Sequence, residues 1–131
     1  DRKRRRLGPD HDSVAASLIV LAELKLSHGD FAACEPSARE AVEILEKAFP
    51  EGQRRIDQAK IVWGRCLTGL MRHDEAEQAL LAAFNHLQTL PAVGPTHTAD
   101  VAAAAESLIA LYNETGRDAD AGKYRPYVTP Q

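Results

Sequence analysis

The feature that most constrains this chain is a corner that recurs. Gly29-Asp30-Phe31-Ala32-Ala33-Cys34-Glu35 returns 42 residues later as Met71-Arg72-His73-Asp74-Glu75-Ala76-Glu77. It returns again after a further 45 residues as Gly116-Arg117-Asp118-Ala119-Asp120-Ala121-Gly122. Each copy holds a turn residue, polar or bulky residues, and a small residue that opens the next helix. A near-fixed period of this length, built from helical units, points to a stack of helical pairs, a solenoid, in place of a closed globule.

Reading the chain in order supports this. Leu7-Gly8-Pro9-Asp10-His11-Asp12-Ser13 has turn chemistry, with Asp12 or Ser13 placed to cap a helix over Val14–His28. Gly29 ends that helix in the left-handed conformation, and Asp30 caps a second one reaching about Ala48. Pro36 falls in its first turns, where a missing amide donor costs least. Gln53–Leu70 and Asp74 to about Leu90 repeat the plan. A third first helix is expected from near Thr98, with Asp100 by its cap, to Thr115. A short helix over Arg117–Tyr124 then stops before Pro126 and Pro130. The repeat domain so defined covers residues 1–125, with repeats at about 8–51, 52–93 and 94–125 and a tail at 126–131.

Composition narrows the function classes. The chain has 131 residues, enough for one domain with a core, and 44% are apolar but only 5% aromatic, as in closely packed helices with small contacts. A net charge of −3 sets up no general field for nucleic acid. The basic run Arg2–Arg6 is read as a solvated helix end, and the abrupt start suggests a piece of something longer. No apolar run reaches membrane length, and the basic start lacks the apolar stretch of a signal peptide. Cys34 occupies the small slot filled by Ala76 and Ala121, so Cys34 and Cys66 read as core residues in a reducing, cytoplasmic setting, with no disulfide framework.

On these corners, and on the linkers Gly8-Pro9-Asp10-His11 and Gly94-Pro95-Thr96-His97, the chain resembles tetratricopeptide repeats of the longer, kinesin-light-chain-like type. Ala110-Leu111-Tyr112-Asn113-Glu114-Thr115-Gly116-Arg117 is similar to the final repeats of bacterial multidomain signalling proteins, Ser/Thr kinases among them. The resemblance implies an all-α, right-handed α-solenoid of antiparallel helix pairs, two full repeats and a truncated third. It also implies a concave face that binds a protein or peptide. Its groove positions are Ile19, Glu23, Leu26, Gln58, Ile61, Arg65, Thr68, Glu106 and Asn113, with Ala16, Ser27, Gly69, Ala103, Ala110 and Glu114 alongside. The paired asparagines that clamp an extended peptide in that family are replaced by Ile19-Val20, Ile61-Val62 and Glu106-Ser107, which favours an apolar contact such as a helix. Lys60 at a leucine slot, Met71 at the corner glycine and Ile109 at a small slot imply less regular packing in the second and third units than in the first.

Catalytic patterns are absent. His73 and Glu77 stand four apart on one helix, but no third metal ligand follows at a suitable spacing, and no phosphate loop, nucleophile elbow or kinase motif occurs. The expectation is therefore a non-enzymatic interaction scaffold without cofactor, metal or small-molecule substrate, or else a regulatory or substrate-docking segment of a larger bacterial enzyme. Finally, the first helix is apolar on nearly every side, through Val14, Leu18, Ile19, Val20, Leu21, Leu24 and Leu26. As the first element it cannot cover all of them, so Val20 and Leu24 are expected to support self-association, with a homodimer as the closed solution.

Overall fold

The computed structural model describes residues 11–128. The basic run, the turn over residues 7–10 and the last three residues lie outside the described part. Within it the chain is all-helical: α1 (His11–Ser27), α2 (Phe31–Ala48), α3 (Arg54–Gly69), α4 (His73–Gln88), α5 (Gly94–Glu114), α6 (Asp118–Gly122) and a 3-10 turn at Arg125–Tyr127. Each helix packs on the next, and α3 also touches both α1 and α5.

The three corners share one backbone. The amides of Asp30, Arg72 and Arg117 donate to the carbonyls of Lys25, Leu67 and Tyr112, five residues back, at 2.9, 2.9 and 2.7 Å. The amides of Gly29, Met71 and Gly116 donate to Leu26, Thr68 and Asn113, three residues back. Together these are the paired bonds of a Schellman corner, which satisfy carbonyls that the helix end would otherwise leave open. The residue between the helices must be left-handed, and φ is +76° at Gly29, +63° at Met71 and +75° at Gly116. Met71 is the one non-glycine with positive φ among the described residues.

After each corner the second helix carries a matched stripe. Cys34, Ala38, Ala41 and Leu45 on α2 correspond, 42 residues on, to Ala76, Leu80, Ala83 and Leu87 on α4, and all eight have no exposed surface. This i, i+4, i+7, i+11 spacing is one helix face. Cys34 and Ala38 share a cluster with Val62 and Cys66 near the end of α3, while Ala41 and Leu45 share one with Ile56 and Ala59 near its start. The two helices therefore run antiparallel. Trp63 packs against all three core clusters.

Several boundaries and contacts differ from expectation. Asp12 and Ser13 lie inside α1, which begins at His11. The fifth helix begins at Gly94, not near Thr98, because Pro95 in its first turn needs no amide partner. Asp100 is consequently inside it, not at its cap. The last helix is only Asp118–Gly122, yet Tyr124 and Tyr127 pack edge-on against Phe84, with centroids 5.1 and 5.0 Å away. The folded part thus extends to Val128, into the stretch read as a tail.

Cys34 fills the expected small slot but is also joined to Cys66 as a disulfide, with Cα atoms 5.8 Å apart. Spacing could not show this, because a sequence separation of 32 is closed only by packing α2 on α3. The later units, expected to pack less regularly than the first, share one core cluster. The largest continuous core lies there, running from Ile61 to Ala121. An interior unit has neighbours on both sides, whereas α1 leaves Val14, Val20, Leu21 and Leu24 exposed.

Candidate functional site

The first helices α1, α3 and α5 form one face, and the polar order along it comes from contacts between units. Asp100 on α5 accepts bonds from Arg54 Nη1 at 3.1 Å and from Gln58 Nε2 at 3.1 and 3.2 Å, both on α3. Arg54 Nη2 also reaches His97 Nδ1 at 3.2 Å, so that nitrogen is the unprotonated one. Further along, Arg65 Nε donates to Ser107 Oγ at 2.7 Å, and Ser107 in turn donates to the Ala103 carbonyl at 2.8 Å.

Two clefts open beside these bonds. The first, about 280 Å³, spans all three helices and is lined by Ile19 and Glu23 of α1, Gln58, Ile61 and Arg65 of α3, and Asp100 and Ala103 of α5. The second, also about 280 Å³, continues from Arg65 to Thr68, Gly69, Glu106, Ala110 and Glu114, with Phe31 at its end. Five groove positions read from the sequence (Ile19, Glu23, Gln58, Ile61, Arg65) therefore meet in the first cleft, and Thr68 and Glu106 meet in the second.

Their states differ. Glu23 and Glu106 are exposed, whereas Ile61 is buried and forms floor. Gln58 and Arg65 are half-buried and already bonded, so Arg65 is not the free surface residue that the repeat alignment implies. The Thr68 hydroxyl is turned to the Gly64 carbonyl at 2.8 Å. Leu26 is half-buried, packs against the cluster of Ala22, Cys34, Ala38, Val62 and Cys66, and lines neither cleft. Asn113 is exposed but also lines neither. Gly69 matters through closeness, since a Cβ there would sit 2.3 Å from the Phe31 ring. Asp100, Ser107 and Phe31 were not legible as site residues, because each acts on a helix 38 to 46 positions away in the chain.

The opposite side carries a separate trough. A cleft of about 360 Å³ lies over Trp63, walled by α2 (Arg39, Glu43) and α4 (Glu75, Gln78). Beneath it Trp63 Nε1 donates to the buried Glu35 at 3.0 Å, and Arg39 pairs with the same carboxylate at 3.1 Å. The trough continues into a cleft of about 320 Å³ holding His86 and Asp57. Burial pushes the Asp57 carboxyl above its ordinary range, opposed first by its bond to His86 Nδ1 and then by the charges of His86, Lys60 and Arg54. The pair ties α3 to α4.

The metal-spaced pair does not converge. His73 Nε2 faces Glu114 at 3.4 Å, while Glu77 accepts from the Tyr112 hydroxyl at 2.8 Å and from Arg117 at 3.0 Å. Arg117 holds the Glu77 carboxyl below the ordinary range, with help from Tyr112, and stacks its guanidinium over the Tyr112 ring. Among the described residues no group of three or more His, Cys, Asp and Glu side chains could hold a metal ion, and no helix is long and apolar enough to cross a membrane. No family model matches the chain, and no curated protein matches it either.

Proposed function

We propose that the chain is a tetratricopeptide-like scaffold, a right-handed solenoid of two full repeats and a truncated third, that binds a protein partner along the face of α1, α3 and α5. The observation that carries this reading is the first cleft, in which side chains from three helices spread over more than eighty residues of chain meet around Arg65. Its floor is apolar (Ile19, Ile61, Ala103) and its rim carries the exposed Glu23. The second cleft extends it past Ala110 and Glu106. An apolar floor beside polar groups already bonded within the chain (Gln58 to Asp100, Arg65 to Ser107) suits an amphipathic helix laid along the face, which needs no backbone clamp.

Selection of helical peptides from a displayed library against the whole chain tests this. Binders are expected to be lost on Glu23→Lys or Ala110→Glu and kept on Glu43→Lys, which changes the opposite trough. The reverse pattern moves the site to the other side and refutes the reading.

A further inference from the structure

The three first helices are equivalent in register but not in surroundings. Ile56, Val62 and Cys66 of α3 are buried against α2, at 5%, 7% and 0% exposure. Their counterparts on α5, Val101, Ser107 and Leu111, are buried at 7%, 4% and 1% exposure, Val101 and Leu111 in the cluster that holds the α4 stripe and Ser107 against Arg65 of α3. The same positions on α1 are Val14, Val20 and Leu24, and there the exposure is 37%, 64% and 50%. The face that α3 and α5 each close with the preceding unit, chiefly its second helix, is thus open on α1, and it is apolar.

What fits that face is written in the interfaces already made. Both α2 and α4 set the stripe of small and leucine residues, all fully buried, between the first helix before them and the first helix after them. We propose that the outer face of α1 is a docking surface for one further helix of this kind, supplied by a partner protein and carrying small residues at i and i+7 and a leucine at i+11. It continues the α2–α3 and α4–α5 interfaces by one step. A second copy of the chain does not fit as well, since its own α2 and α4 stripes are already covered.

The probe is a peptide of residues 72–89, which carries Ala76, Leu80, Ala83 and Leu87, held helical by a staple on its outer side because a lone helix of this length is marginal in water. Labelled with fluorescein, it is titrated with the whole chain and followed by anisotropy. We expect saturable one-to-one binding, weakened about tenfold or more by Val20→Glu with Leu24→Glu. Both residues are exposed, so the thermal melt should stay unchanged, which a parallel circular-dichroism scan checks. A peptide with Ala76→Leu and Ala83→Leu should lose binding equally, because the stripe can no longer approach closely. Absence of saturable binding overturns the proposal, as does binding indifferent to the α1 charges, which would mean invasion at the native α4 position. Sedimentation showing a dimer that the same charges abolish gives the face to a second copy and also overturns it. So does binding that appears only after residues 1–10 are removed, which gives it to the chain's own leading segment.

Discussion

The junction of α2 with α3 and the junction of α4 with α5 occupy the same register and are closed by different means. At the first, the small slot is Cys34, and its partner position is Cys66, bonded to it. At the second, the slot is Ala76, and the partner position is Leu111, both buried in one apolar cluster. The corners contrast in the same way. Gly29 with Asp30 as a side-chain cap, bonding the Ala33 amide at 3.3 Å, does the work that Met71 does with Arg72, which caps nothing. The backbone and the volume of the slot recur, while the chemistry that fills them varies. What specifies the repeat is therefore the space available between helices, and residue identity matters through how well it meets that space.

The sharpest way to break this view is to change the space itself. A Cβ at Gly64 would lie 2.5 Å from Cγ of Leu80, which is fully buried and cannot move aside. Gly64→Leu should cost about 3 kcal/mol in a denaturant melt, despite the better helix propensity of leucine. An unchanged midpoint would show that the α3–α4 spacing is not tight.

Next in size is the cross-link. Reduction of Cys34–Cys66 should cost about 2 kcal/mol, since the bond closes a loop with a sequence separation of 32 in the unfolded chain. Replacing the pair by Cys34→Ala with Cys66→Leu copies the second junction into the first. That variant should regain about 1 kcal/mol over the Cys34→Ala, Cys66→Ala variant, through the apolar surface of the leucine. Equal stabilities would mean that the two junctions are not interchangeable.

The corners offer a smaller, signed test. Met71 is 70% exposed, so Met71→Gly loses little packing and removes the left-handed penalty. It should stabilise by about 0.5 kcal/mol, the penalty being partly offset by the entropy of an unfolded glycine. Gly29→Met should destabilise by about 1 kcal/mol. Matching signs for the two exchanges would contradict a shared corner.

The smallest effect is a pH dependence at the third corner. The Glu77 carboxyl is held low by Arg117, so its contribution is present above the unfolded glutamate value and is lost as pH falls through the lower folded value. The buried Asp57 runs the other way, since its raised carboxyl favours the fold as pH drops. Glu77→Gln should therefore lower stability slightly at neutral pH and flatten the acid limb of the stability curve, with the two proteins converging at low pH. A steeper acid limb in that variant would be the wrong sign.

Much of the helix plan was legible because its signals are local. Gly29, Asp30 and the small residue at position 34 stand within one turn of one another, and the second helix starts where they say. The start of α5 was misread because Gly94-Pro95 looked like a break, whereas glycine and proline there open the helix. Groove residues could be placed on a face from their spacing, which is how Ile19, Gln58 and Arg65 come together. Whether each is free could not be read that way. Arg65 is held by Ser107 and Gln58 by Asp100, both 42 positions downstream, and single-chain periodicity carries no record of such pairings.

Trp63, the only tryptophan in the chain, has an optical consequence. Its indole lies against all three core clusters and donates to the Glu35 carboxylate. Excitation at its absorption edge therefore samples both halves of the stack through one chromophore. If the halves separate on heating in successive steps, the emission maximum should shift red twice, and a single step would mean that they part together. No label is needed to tell cooperative from sequential melting in this chain.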